Sequence, residues 1–116
     1  MSGRILKVNA ELQKAISEVL TYEIKNPLIT GIITVTRVET TQDLDFAKVY
    51  VSIFTKDNVQ DVFNQILHSA HFIRKEVAAK INLRKMPYLN FILDDGIDYT
   101  NKIEDMLEKI KEERKD

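Results

Sequence analysis

The chain has 116 residues, of which 44% are hydrophobic and 30% are charged, as expected for one soluble globular domain. It contains no cysteine, which excludes disulfides, thiolate metal sites and a cysteine nucleophile, and its 3 glycines are too far apart for a glycine-rich phosphate loop. No apolar run reaches the roughly 18 residues of a membrane span, and the N-terminus carries no signal-peptide pattern. We therefore expect a cytoplasmic protein.

The net charge of −1 is unevenly distributed along the chain. Residues 1–93 carry 12 Lys and Arg against 9 Asp and Glu, whereas residues 94–116 carry 5 against 9. The first segment is therefore basic and the second acidic. This arrangement is typical of proteins that contact nucleic acid, although it does not by itself establish that function.

The first half of the chain predicts a helix followed by a β-hairpin. Apolar residues recur at spacings of three and four from Ile5 to Ile24, and Asn26-Pro27 ends this helix. The β-branched residues of 32–38 favour a strand. Residues 44–54 alternate as a second strand, and a polar turn joins the two. The residues of the second strand that we expect to face the core are Ala47, Val49, Val51 and Ile53.

The second half predicts more helix and a third strand. Asn58 can act as an N-cap, and helical periodicity runs from 59 to 82, as one long helix or as two helices joined by a bend. Residues 88–93 alternate as a strand, 103–110 predict a last helix, and the charged residues 111–116 are expected to fray. The order α-β-β-α(α)-β-α indicates one α+β domain over residues 1–116, with helices covering a three-stranded sheet.

No arrangement of residues favours catalysis or metal binding. His68 and His71 lie on adjacent helix positions, but no third ligand stands at a recognised spacing, so we favour two solvated histidines. The paired aspartates at 43/45 and 94/95 fall in predicted turns, where Asp bonds to the backbone. The residues alone therefore support neither an active site nor a metal site.

A concentration of cations is compatible with RNA binding and equally with a solvated helix face. Residues 72–85 carry five cations and one anion, and a weaker basic stretch lies on the first helix. The residues that we expect to contact RNA phosphates are Arg74, Lys75, Lys80, Arg84, Lys85, Arg4 and Lys7. A solvated helix face is the alternative. We further expect that replacing Arg74, Lys80 and Arg84 with alanine weakens binding and leaves the melting temperature nearly unchanged.

Three aromatic residues lie on the outward face of the second predicted strand. Phe46, Tyr50 and Phe54 could stack on RNA bases, as aromatic residues on other RNA-binding sheets do. Packing beneath the first helix or pairing across strands is the interpretation that we favour.

The ensemble of short motifs resembles the ribosome-binding factor A family over residues 4–110. The residues that carry the resemblance are Arg4 with Val8, Asn26-Pro27-Leu28, Asp43-Leu44, Ala47 to Ser52, Phe72-Ile73-Arg74, Leu83-Arg84, Pro87-Tyr88-Leu89, Phe91 and Asp94-Asp95. The resemblance implies a type II KH-like fold, α-β-β-α-kink-α-β, here with an added C-terminal helix. It also implies that the chain binds the free small (30S) ribosomal subunit and its rRNA, assists 5′-end processing of 16S rRNA and supports growth in the cold. Neither an enzymatic activity nor a cofactor belongs to that role.

The resemblance places an interhelical bend at Ser69-Ala70-His71, where the family has Ala-x-Gly. Packing also favours a bend, because a straight helix over 59–82 would be about 36 Å long and would overhang a third strand of about 20 Å. We expect Ser69 to cap the second helix. A straight helix remains the alternative.

A second function is compatible with the residues alone. A small regulatory domain could act by dimerising through its sheet edge or its aromatic face, without RNA. Salt-dependent RNA affinity would distinguish the first function from the second. For the first function we expect a chain that is monomeric when free.

Overall fold

The computed structural model describes residues 3–94. Its elements, in chain order, are α1 (Gly3–Glu18), a π-helical turn (Val19–Glu23), β1 (Ile32–Thr40), β2 (Phe46–Phe54), α2 (Val59–His68), α3 (Ala70–Lys80) and β3 (Tyr88–Leu93). The predicted α+β fold and the order of its elements are confirmed over this range. The predicted helix over 103–110 and the charged tail at 111–116 lie outside the described residues.

The sheet has the order β1-β2-β3, so that β2 is central. β1 and β2 form the predicted antiparallel hairpin, in which Val35 lies opposite Val51. β3 runs parallel to β2, with Phe91 opposite Val49. A parallel pair needs a crossover connection, which α2 and α3 supply here.

The core lies between one face of the sheet and the helices. All four inward residues predicted for β2 are buried, as are Leu89 and Phe91 of β3. The predicted stripe of α1 meets them, with Leu12 and Ile16 fully buried. The buried residues that α2 and α3 contribute are Val62, Phe63, Ile66, Ile73 and Val77.

Side chains of α1 also bond to the backbone of the edge strand β1. The Gln13 Nε2 donates to the carbonyl of Val35 over 2.9 Å, and the Asn9 Oδ1 accepts from the N–H of Thr40 over 2.9 Å. An edge strand with free polar groups is a template for pairing with another chain. These two bonds occupy part of that template.

The first helix differs from the prediction in its last turn. It reaches Glu23 as expected, but Val19–Glu23 is a π-helical turn closed by a 2.9 Å bond from the N–H of Ile24 to the carbonyl of Val19. The wider turn buries both Val19 and Leu20. Periodicity alone does not distinguish such a turn from an α-helix.

The second strand also begins later than the sequence predicts, because the hairpin turn is longer. β2 begins at Phe46 instead of residue 44, because Leu44 has a φ of 62° in the left-handed region. The buried Leu44 side chain anchors the turn in the core. The Asp43 Oδ1 accepts from the Thr41 hydroxyl at 2.7 Å and from the Asp45 N–H at 3.0 Å. The turn is therefore rigidly held.

A single residue separates α2 from α3. α2 begins after Asn58, whose side chain caps it as predicted by accepting from the Asp61 N–H at 3.0 Å. It ends at His68, and α3 begins at Ala70, with Ser69 at φ −93° and ψ 4° between them. The expectation that Ser69 caps α3 is wrong, because its side chain makes no capping hydrogen bond. Its backbone carbonyl accepts from the N–H of Ile73 instead, at 2.9 Å.

Candidate nucleic-acid interface

Arg74 is bonded to its own chain. Its Nε donates to the carbonyl of Pro87 over 3.1 Å, and its Nη2 donates to the carbonyl of Met86 over 2.8 Å. Both bonds are partly buried, and they hold the segment before β3 against α3. The guanidinium therefore has a structural role, and these two bonds reduce the number of donors that Arg74 can offer to an RNA phosphate.

Lys80 is also bonded internally. Its Nζ lies 2.6 Å from the Glu23 Oε1 and 3.6 Å from the Glu18 Oε2, and its side chain is only 28% exposed. The hydrogen bond that the Lys80 ammonium donates to the Glu23 carboxylate raises the pKa of Lys80 above its usual value. Lys80 thus ties α3 to the end of α1. These internal bonds lead us to expect that alanine at Arg74 or Lys80 lowers the melting temperature, in place of the nearly unchanged value predicted from the sequence.

Lys85 has an internal partner but remains accessible. Its ammonium pairs with the carboxylate of Asp45, and the hydrogen bond to that carboxylate raises the pKa of Lys85. The Lys85 side chain is still 55% exposed. Because an ammonium has three N–H donors, it can bind a second anion.

Three cations converge beside the hairpin turn. Arg4 from the start of α1 and Arg84 and Lys85 from the segment before β3 line one cavity of about 370 Å³. The turn residues that complete the cavity wall are Gln42, Asp43 and Leu44. We name Arg4, Arg84 and Lys85 the cationic end. The fold thus joins two basic stretches that lie 80 residues apart in the sequence.

Two other expected cations lie outside this cavity wall. Lys7 is exposed three residues after Arg4, a spacing that places the two side chains side by side on α1. Lys75 is exposed on α3, and the structure does not bring it to the cavity. Asp43 lies within the wall, and the hydrogen bond from the Thr41 hydroxyl lowers its pKa, so the carboxylate stays charged at neutral pH.

The interhelical bend is bordered by carboxylates. Ser69 lies with Phe72, Glu23 and Glu76 around a cavity of about 490 Å³. His71 is exposed, and Ala70 packs against the core. On the other side of α2, a groove of about 550 Å³ contains two further aspartates. Lys25 also lines the first cavity, and Glu23 is paired with Lys80, so cations partly balance the carboxylates of the bend region. Sequence reasoning missed this arrangement because these residues come from separate segments.

The outward aromatic residues pair on the face of the sheet opposite α1, α2 and α3. Phe46, 56% exposed, packs edge to face with Tyr88, the ring centroids lying 6.2 Å apart. The guanidinium carbon of Arg37 lies 4.0 Å from the centroid of the Tyr50 ring. The interpretation that these rings pack beneath the first helix is therefore wrong. The interpretation that they pair across strands is confirmed for Phe46 and Tyr50. Phe54 is 76% exposed.

Within residues 3–94 there is neither a metal-binding cluster nor a membrane-spanning helix. No group of three or more His, Asp or Glu side chains in this range is placed to hold a metal ion. None of the helices in the same range has both the length and the apolar character needed to cross a membrane.

Comparison with known proteins identifies relatives along most of the chain. The family model described as Ribosome-binding factor A matches residues 4–107. The chain is 40% identical over 108 residues to Ribosome-binding factor A of Clostridium botulinum (strain Eklund 17B / Type B), an alignment that covers 91% of this chain and 93% of the relative.

Solved structures share the fold. The solution NMR structure of a Thermotoga maritima protein superposes with a TM-score of 0.68 at 27% identity, covering 84% of this chain and 93% of that chain. A homology model of Thermus thermophilus ribosome-binding factor A, fitted into the cryo-EM map of a 30S complex, superposes with a TM-score of 0.59 at 21% identity, covering 72% and 88%.

Proposed function

Because the chain belongs to the ribosome-binding factor A family, we propose that it is a cytoplasmic, non-enzymatic factor that binds the free small ribosomal subunit through rRNA. The Thermus thermophilus relative is described in a complex with the 30S subunit. The observation that carries the proposal for this chain is the convergence of Arg4, Arg84 and Lys85 on one cavity.

The chemistry of the cationic end suits phosphate. Arg4 and Arg84 can each bind a phosphate through two parallel N–H donors, and Lys85 adds a point charge. Lys7 extends the same surface along α1. The turn beside these side chains is held by Leu44 and Asp43, so the surface is arranged before RNA arrives. If three to four phosphates are neutralised, log affinity falls with log salt at a slope of about −2 to −4.

The finer role follows from the family resemblance. We propose that binding assists late assembly of the subunit and 5′-end processing of 16S rRNA, with no catalytic group or cofactor supplied by this chain. Cold adaptation belongs to the same proposal. The whole chain, 1–116, acts as a single domain, with 111–116 as a charged tail.

The sheet edge supports a monomer when the chain is free. Dimerisation through β1 would require its outward backbone groups, and Gln13 and Asn9 already bond to two of them. The outward aromatic face, opposite α1, α2 and α3, is the surface that the alternative, RNA-independent function would use. A concentration-dependent dimer without RNA affinity would favour that alternative.

Co-sedimentation tests the proposal. The full chain is expected to sediment with purified free small subunits and to leave fully assembled ribosomes unbound. Affinity is expected to fall steeply as salt rises, because phosphate contacts release counterions. Equal sedimentation with both particles, or affinity that does not depend on salt, would contradict it.

A further inference from the structure

We propose that the groove beside α2 is a docking site for a basic protein segment with an aliphatic anchor, that is, a Lys- or Arg-rich peptide carrying one Leu-like side chain. We name this groove, lined by Leu28, Asp57, Asp61, Asn64 and His68 among others, the acidic groove. Its volume of about 550 Å³ lies within the range of 300–1,000 Å³ usual for ligand sites.

The acidic groove lies at the opposite end of the sheet from the cationic end. The turn over residues 41–45 joins β1 and β2 beside the cationic end. Ile32, at the start of β1, pairs with Phe54, at the end of β2, nine residues along each strand. Asp57 and Asp61 follow that second end. About 30 Å of strand therefore separates the two charged regions.

The charges in the groove favour a cationic partner over RNA. Asp61 and Asp57 form no ion pair with a cation of residues 3–94, and no Lys or Arg from that range lines the groove. The Thr30 hydroxyl donates to the Asp57 Oδ2 at 2.6 Å, which orients the carboxylate. Two carboxylates without a cationic partner in residues 3–94 repel a phosphate backbone and attract Lys or Arg.

The apolar wall of the groove is displayed by a tied loop. Leu28 is 61% exposed beside Pro27. The Asn26 Oδ1 accepts from the Leu28 N–H at 3.0 Å, while the Asn26 Nδ2 donates to the Gln65 Oε1 on α2 at 3.1 Å. Gly31 has a φ of 87° and packs so closely on the Phe54 carbonyl that a Cβ would not fit. The loop is therefore preorganised to receive an aliphatic side chain.

The two ends of the sheet thus fit two chemically different partners. On the small subunit, the cationic end would face rRNA, while the acidic groove would hold a basic segment of a protein on the same particle. The location of that segment on the subunit rests on the proposed function. The acidic groove and its aliphatic wall do not depend on it.

Site-specific photo-crosslinking tests the inference, because the chain has no cysteine and one introduced thiol is unique. Asn64→Cys places a benzophenone maleimide in the acidic groove, and Gln42→Cys places it at the cationic end. Each labelled full chain is bound to purified free small subunits and irradiated. We expect position 64 to crosslink to a Lys- or Arg-rich protein segment, identified by mass spectrometry, and position 42 to crosslink to rRNA.

Other outcomes separate the two proposals. In three alternative results, position 42 crosslinks to rRNA while position 64 crosslinks only to rRNA, to a second copy of the chain, or to nothing. Each of these results would overturn the inference about the acidic groove and leave the proposed function standing. Failure of both positions to give any product would overturn the proposed function together with the inference.

A charge-matched pair of variants tests the carboxylates. Adding Asp61→Asn to the Asn64→Cys chain is expected to lower the yield of the protein crosslink about two- to fivefold, the effect of one exposed charge pair. Glu11→Gln removes the same charge on α1, outside the groove, and is expected to leave the yield unchanged. An equal effect of the two substitutions would contradict a specific role for the groove.

Discussion

Helix α3 and the cationic end both carry cations, but the fold uses them differently. Arg74 and Lys80 on α3 are bonded to backbone carbonyls and to carboxylates of the same chain. At the cationic end, Arg4 and Arg84 line an open cavity. Positive charge is densest along the sequence near α3, whereas Arg4 and Arg84, which lie 80 residues apart in the sequence, meet beside the turn. The comparison shows that the position of a cation along the sequence does not reveal whether its side chain already has a partner in the fold.

The largest expected effect on stability belongs to Arg74. Arg74→Ala leaves the carbonyls of Pro87 and Met86 without their charged donor, and we expect the free energy of unfolding to fall by about 2 kcal/mol. Urea unfolding of the full chain measures it. Lys75→Ala, at the exposed neighbouring position, is the control and should change stability by about 0.5 kcal/mol at most. Equal losses of stability at the two positions would contradict the claim that the hydrogen bonds of Arg74 stabilise the fold.

Replacing Lys80 is expected to lower the free energy of unfolding by a smaller amount, and this loss should depend on pH. Because Glu23 raises the pKa of Lys80 in the folded chain, the ion pair stabilises the protein fully below pH 10.5 and loses its effect as pH rises through the higher folded pKa. Lys80→Met should therefore be less stable than the parent chain at neutral pH, and the difference should shrink above pH 10.5. Denaturant unfolding at several pH values measures this difference. A difference that stays constant, or that Lys75→Met reproduces, would contradict the ion pair.

The smallest expected effect is on affinity for free small subunits, and it concerns Asp43, which lies in the cavity wall beside the cationic end. Asp43→Asn removes a negative charge from the cavity wall, while the Asn Oδ1 can still accept the hydrogen bonds of the turn. We expect affinity for free small subunits to rise about two- to fivefold at low salt. Glu11→Gln, which makes the same charge change elsewhere, should not alter affinity. Weaker binding by Asp43→Asn would mean that the turn is disturbed or that the cavity does not face phosphate.

The parts of the fold that the sequence predicted correctly are those that depend on residues close together in the chain. The alternation of β2 identified its buried face, and the Asn58 cap marked the start of α2, because both depend on neighbouring residues. The π-helical turn and the left-handed Leu44 were missed, since each is fixed by packing against distant elements.

The candidate site could be predicted only as a set of residue types. The carbonyls that bind Arg74 lie 12 and 13 residues further along the chain, and the carboxylate that binds Lys80 lies on another helix. The meeting of Arg4 with Arg84 depends on how α1 packs against the hairpin turn. Sequence spacing contains none of these relations, so it could not separate bonded cations from free ones.

The salt dependence of binding to free small subunits tests the central claim most directly. In Arg4→Ala/Arg84→Ala, the slope of log affinity against log salt should become less negative by about 1.5, because two phosphate contacts are lost. The matched control, Lys14→Ala/Lys56→Ala, removes two exposed cations outside the cationic end and should keep the parental slope. An unchanged slope in the first variant, or an equal change in both, would contradict the assignment of RNA binding to the cationic end.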